Sequence, residues 1–131
     1  MEKAYISISF KNRKKLDAEI SALKEVLQKH NIRPQVFVDE YVFSPEQEKE
    51  MMEQATKDIS ESSLLIAELT EKAIGVGIEV GYAAALKIPV LYVKHKNAEY
   101  SKTIGGLSAK VISYENTEDL KKQLDQYLNL N

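Results

Sequence analysis

The chain has no cysteine among its 131 residues, which excludes a disulfide framework, a thiolate metal site and cysteine nucleophilic chemistry. Histidine is nearly as scarce. His30 and His95 are far apart in sequence, so neither a metal site nor a cofactor is expected. No apolar run is long enough to cross a bilayer, and Met1-Glu2-Lys3 leads into a strand-like alternation without a basic-then-apolar signal segment. The expectation is therefore a cytoplasmic protein with no membrane partner. Neither sign of charge dominates: 18 Lys and Arg are interspersed with 20 Asp and Glu, for a net charge of −2. That argues against a nucleic-acid polymer as partner, because phosphate backbones are bound through clustered cations. The one basic cluster, Lys11, Arg13, Lys14 and Lys15, reads as the solvated opening of a helix that could also help to hold a single phosphate. No internal repeat, linker or low-complexity segment divides the chain, and its length suits one domain, residues 1–131.

What is present alternates between strand and helix patterns. Residues 3–9 are rich in β-branched and aromatic side chains and predict a first strand. Leu16, Ile20, Leu23 and Leu27 recur at helical spacing up to a stop at Asn31. Pro34 introduces a second strand, residues 35–38, ending at Asp39-Glu40. Ser44-Pro45-Glu46-Gln47 has the chemistry of a helix start, with Ser as N-cap, Pro at the first position and Gln three residues after the cap. The helix runs to about Glu61, with Met52, Ala55 and Ile59 on its buried face. Residues 64–69 are apolar in succession rather than alternating, as in a parallel strand covered on both faces. A helix follows, whose Gly81, Ala83, Ala84 and Ala85 would let it lie close to the sheet. Further strands are expected at 88–93 and 111–114, and Thr117 caps a last helix carrying Leu120, Leu124, Tyr127 and Leu128.

This alternation predicts a three-layer α/β domain with a five-stranded parallel sheet of the flavodoxin or Rossmann kind, in the order 2-1-3-4-5. Ligands of such sheets bind beyond the carboxyl ends of the strands at the switch point, here between the first and third strands. The loops after Ser9 and after Thr70 face that crevice, so Tyr5, Ser9 and Glu79 should converge. Glu79 belongs to Gly75-Val76-Gly77-Ile78-Glu79-Val80-Gly81-Tyr82-Ala83. Gly75 and Gly77 would let a ligand approach the backbone, and Glu79 is expected in the first turn of the helix. The macrodipole there favours a charged carboxylate by about 0.3 to 1 kcal/mol. Glu79 should then be ionised at neutral pH and suited to act as nucleophile or base. Glycine before a helix and Glu in its first turn are also ordinary capping features.

Taken together, the tyrosine of the first strand, the strand "LLIAELT", the loop and helix "GVGIEVGYA", the strand "KIPVLYV" and the loop "YSKTIGG" resemble the nucleoside 2-deoxyribosyltransferase superfamily. That group includes the 2'-deoxynucleoside 5'-monophosphate N-glycosidases, and the resemblance spans nearly the whole chain. It implies that Glu79 attacks the anomeric carbon of the sugar, displacing the base and leaving a glycosyl ester that water or a second base resolves. It also implies that Tyr5 holds the rotamer of Glu79, that Ser9 and its loop contact the sugar or phosphate, and that Ser101 reaches the phosphate of a substrate in a neighbouring subunit of a homodimer or larger homo-oligomer. Each has a plainer alternative: Tyr5 as a core aromatic, Ser9 as the cap of the next helix, and Ser101 as a loop serine bonded to its own backbone.

Two positions depart from the family pattern. Ala55 stands where the resemblance implies an aspartate that assists departure of the base; Asp58, one turn later, is the candidate replacement, with Glu53 and Asp39 also considered. Ala73 stands where a carboxylate or hydroxyl would contact the sugar or its phosphate, and Lys11 could partly replace a phosphate-binding arginine. The expected function is cleavage or transfer at the N-glycosidic bond of a nucleoside or nucleoside 5'-monophosphate. Two alternatives are a nucleotide sensor with impaired chemistry and a TIR-like NAD-cleaving domain, the latter compatible with "AYISISF" and "VFVDE".

Overall fold

Five parallel strands, Glu2–Ser7 (β1), Ile32–Val36 (β2), Leu64–Glu68 (β3), Val90–His95 (β4) and Lys110–Tyr114 (β5), form one sheet in the order β2-β1-β3-β4-β5. This is the order the alternation predicts. The computed structural model describes residues 2–130; the two ends of the expected domain, Met1 and Asn131, lie outside the described residues. The helices are Asp17–Lys29 (α1), Phe37–Glu40 (α2), Glu48–Ser60 (α3), Ile74–Ala85 (α4), Lys102–Leu107 (α5) and Thr117–Leu130 (α6).

Side-chain alternation along the strands divides the core in two. Ala4, Ile6, Leu64, Ile66, Leu91 and Val93 face α1 and α6, where Ile20, Leu23, Leu27, Leu120 and Leu124 meet them. Tyr5, Leu65, Ala67, Val90 and Tyr92 face the other layer, with Ala55 and Ile59 of α3, Val76, Val80 and Ala83 of α4, and Ile104 of α5. All five residues of β3 are buried, which explains its unbroken apolar run. The period of two places Tyr5 and Ser7 on the α4 side, which sets up the site described below. No helix among the described residues is long and apolar enough to cross a membrane.

Several boundaries differ from expectation for local reasons. β1 ends at Ser7, not at residue 9, because Ser9 turns out of the strand and accepts the N–H of Asn12, capping a 3-10 helix over Phe10–Leu16. β2 begins before Pro34 and ends at Val36. Its edge position tolerates a residue without an N–H, and Phe37–Glu40 is a helical turn rather than the end of the strand. The capping box at Ser44 and Gln47 is present, opening a 3-10 turn that leads into α3. Asn31 adopts φ 60°, the left-handed geometry that suits Asn at a helix end. Of the small residues expected to bring α4 close to the sheet, only Ala83 is buried, and a side chain at Gly81 would meet nothing. α5 lies in a stretch read only as a loop, where Ser101 caps it by accepting the N–H of Ile104.

The cap of α6 is Asn116 rather than Thr117: its Oδ1 accepts the N–H of Asp119 at 2.8 Å. Asn116→Ala is expected to cost about 1 kcal/mol and Thr117→Ala clearly less, measured from urea unfolding midpoints. The reverse ranking would reinstate Thr117 as the cap.

Candidate active site

The carboxyl ends of β1 and β3 separate at the switch point, and a cavity of about 300 Å³ opens there. Tyr5, Ser7, Ser9 and Phe10 line it from β1 and the loop that follows, Phe37 and Val38 from α2, Met51, Met52 and Ala55 from α3, and Ala73, Gly75, Val76 and Glu79 from the start of α4. Its wall is mostly apolar, and among the described residues Glu79 is the only carboxylate along it. Tyr5 donates its hydroxyl to Glu79 Oε2 at 2.7 Å, and Ser7 donates to Oε1 at 2.5 Å. Each oxygen of the carboxylate is thus held by one neutral donor, which leaves each with unused acceptor capacity. Tyr5 also meets Phe37, ring centroids 5.9 Å apart, so its ring is fixed in the core as well as bonded to Glu79.

Glu79 is the sixth residue of α4 and so belongs to its second turn, not to the first as expected. The macrodipole falls off within one turn, and other forces set the carboxyl's acidity. Burial pushes its pKa above the usual glutamate range, while the Ser7 and Tyr5 hydroxyls act in the opposite direction by bonding the charged form. The net direction is upward. The Tyr5 phenol is also pushed up, first by burial and then by the Glu79 charge, so it remains a donor.

Ser9 and Gly75 line the same cavity, Ser9 while also capping the 3-10 helix. Gly77 does not line it; a side chain there would approach Ile104. Ala73 is the N-cap of α4 and has no side-chain group to bond the first-turn N–H groups. It separates the Glu79 cavity from a second hollow, lined by Leu69, Lys72, Ile74, Ser101 and Ile104. Within its own chain Ser101 therefore stands across Ala73 from Glu79, with its hydroxyl bonded to the Ile104 N–H and its own N–H donated to the Tyr92 hydroxyl at 2.9 Å.

Lys11 is exposed along a neighbouring hollow with Phe10, Arg13, Lys14 and Asp39. Arg13 is occupied there by Asp39 and Asp17, and Asp39 is in turn held by Arg13. Asp58 is buried and lies outside the cavity wall; it accepts the amides of Gln35 and Gln54 at 2.9 Å each and, after burial, its charge helps to push the Tyr41 phenol up. Glu53 faces solvent. Ala55, by contrast, is on the cavity wall. The residue that sequence reasoning missed is Ser7. The signal available was its place two residues after Tyr5, on the same strand face.

Another buried carboxylate lies on the opposite face of the sheet. Glu68 accepts the N–H and hydroxyl of Thr70, at 2.8 and 2.7 Å, and the Tyr114 hydroxyl at 2.9 Å. Burial raises its pKa despite these donors. A carboxyl with its folded pKa above the unfolded one binds its proton more tightly when folded. Its stabilising contribution is present below the unfolded value and is lost as pH rises through the folded one. The stability of the wild type relative to Glu68→Gln should accordingly fall as pH rises above the ordinary glutamate value of about 4, as read from urea unfolding at several pH values. A difference that rises with pH would mean that the three donors outweigh burial. Among the described residues no group of three or more His, Asp or Glu is arranged to hold a metal ion.

The fold and this crevice define a doubly wound α/β domain with one half-buried, hydroxyl-held carboxylate at its switch point. A sequence model of the nucleoside 2-deoxyribosyltransferase family matches residues 5–127, and the chain belongs to that family. A Syntrophotalea carbinolica protein with the provisional name 2'-deoxynucleoside 5'-phosphate N-hydrolase 1 is 35% identical over 82 residues, 63% of this chain. The matched stretch spans 56% of that relative's length. Among solved structures, the CMP N-glycosidase BcmB of Clostridium botulinum superposes with a TM-score of 0.71 at 23% identity, covering 96% of this chain and 99% of that one. The 2-deoxyribosyltransferase of Bacillus psychrosaccharolyticus gives 0.73 at 16% identity, covering 96% and 95%. At these identities the two structures support the fold.

Proposed function

We propose that the protein cleaves the N-glycosidic bond of a nucleoside or nucleoside 5'-monophosphate, with Glu79 as the nucleophile. The observation that carries this reading is a single carboxylate, held by a hydroxyl on each oxygen, in the wall of a largely apolar switch-point cavity. Family membership and the names of the relatives support the reaction class. A Glu79 oxygen forms a bond to the anomeric carbon as the bond from that carbon to the base nitrogen breaks, and the base leaves with the electron pair. Water then attacks the glycosyl ester and releases Glu79 as carboxylate; a second base in place of water would make the reaction a transfer. The aromatic and methionine wall of Phe10, Phe37, Met51 and Met52 suits the flat face of a base.

Asp58 is bonded to its neighbours away from the cavity wall, so in this reading the departing base takes its proton from solvent. The enzyme is correspondingly slow. The reading includes a cytoplasmic location and a homo-oligomer, the latter supported by Ile74 and Ile78, which are exposed on the outer side of α4.

The test is chromatographic detection of free base after incubation with a panel of nucleosides, deoxynucleosides, their 5'-monophosphates and NAD. Release from at least one nucleoside or monophosphate supports the proposal. Binding without release would make the protein a sensor, and nicotinamide release from NAD alone would move it to NAD cleavage.

A further inference from the structure

Among the described residues, no lysine, arginine or histidine lines the Glu79 cavity. A carboxylate removed from water without a cation needs compensation from neutral donors, and two reach it: Tyr5 on Oε2 and Ser7 on Oε1. Ser7 is 1% exposed, and its backbone is fixed by pairing in β1 opposite Ala67 of β3. Its hydroxyl therefore has little freedom to turn to water instead. We infer that Ser7 is a positioning residue for Glu79, its hydroxyl fixing one carboxylate oxygen while Tyr5 fixes the other, so that the carboxylate is presented to the substrate in one orientation and in its charged form. The inference rests on Glu79 as the nucleophile.

The ionisable groups around this pair are few. From β1 comes Tyr5. Asp58 of α3 and Tyr41 act on the Tyr5 phenol through their charge, less than Glu79 does, and Asp58 is bonded to Gln35 and Gln54. On β4, Tyr92 is turned to the Ser101 N–H, and Glu68 of β3 is on the opposite face with Tyr114. Ser7 and Tyr5 are thus the groups whose removal acts directly on the charge of Glu79.

The test uses the whole chain in two measurements, one of them independent of turnover. The first is the titration of the Glu79 carboxyl carbon by NMR in protein labelled with ¹³C-glutamate, the signal being assigned by its disappearance in Glu79→Gln. The second is the pH profile of kcat/KM for base release. Ser7→Ala should raise the Glu79 midpoint by about one pH unit and move the acidic limb of the profile upward by the same amount. Activity should fall most on the acidic side of the profile and recover as pH rises. Ser7→Thr keeps the hydroxyl and should restore both. Ser7→Cys, with a weaker donor, should fall between, and it supplies a second reading if Ser7→Ala folds poorly. A midpoint unmoved in both Ser7→Ala and Ser7→Cys, with any loss of activity equal at all pH values, would reduce Ser7 to a packing residue and overturn the inference. Base release that persists in Glu79→Gln would overturn the reading of Glu79 instead, whatever the titration shows.

Discussion

Glu79→Gln should lower base release by about 10⁴-fold or more, the order of loss when a residue of a catalytic unit is removed, while substrate affinity stays within about threefold of wild type, since the binding wall is untouched. Glutamine is the informative replacement because it has nearly the same shape. Its amide oxygen can accept from one of the two hydroxyls, and its NH₂ can donate to the oxygen of the other, so the Tyr5 and Ser7 contacts need not open. What is lost is the charge and the nucleophilic lone pair. Base release followed by chromatography, with affinity from calorimetry and a thermal melt as control for folding, separates chemistry from binding. Turnover at the wild-type rate would leave Glu79 as a group that only shapes the cavity.

The second large effect is a gain. Ala55 is 1% exposed and faces the Glu79 cavity from α3, at the position where the family resemblance implies an aspartate. Ala55→Asp should raise kcat by about 10²-fold, at the lower end of what a positioned general acid contributes. An aspartate there would be removed from water and would face the Glu79 charge; both raise its pKa and favour the protonated form that can donate to a departing base. The same burial should cost about 2 kcal/mol of stability. The gain should be largest for bases that leave poorly, so the measurement is kcat across substrates of graded base acidity. A slope that flattens in Ala55→Asp supports acid assistance from this position. An unchanged rate and slope would show that departure of the base does not depend on a group there.

Much of the scaffold was legible because it is built from local signals. The Ser44 to Gln47 capping box and the apolar run of β3 belong to short stretches of chain whose backbone chemistry does not depend on distant partners. From these the strand order follows, since parallel crossovers allow few alternatives. The errors cluster where two signals compete over a few residues. Ser9 is in phase with the alternation of β1 but leaves it to cap a 3-10 helix, and Pro34 sits inside an edge strand that its missing N–H does not break. At α6, Asn116 and Thr117 are both competent caps, and only the backbone geometry selects Asn116.

The site was legible in its parts and not in its arrangement. Tyr5 and Glu79 could be named because the strand, the loop and the resemblance all point to the same crevice, and their hydrogen bond closes it across 74 positions of sequence. The rotation of α4 about its own axis could not be read. Val76, Val80 and Ala83 face the sheet while Ile74 and Ile78 face out, so apolar residues lie on both sides of the helix and periodicity does not mark the buried one. That rotation, with the pairing of β1 against β3, selects Ser7 as the second donor and buries Glu79 enough to raise its pKa. The packing of α3 likewise turns Asp58 toward Gln35 and Gln54 and leaves Ala55 facing the cavity. The order of elements, the family and the identity of the carboxylate were determined by the sequence itself, because capping, alternation and motif spacing are properties of contiguous chain. The partners, burial and acidity of that carboxylate were decided by the tertiary structure alone, because they depend on how helices and strands distant in sequence are turned toward one another.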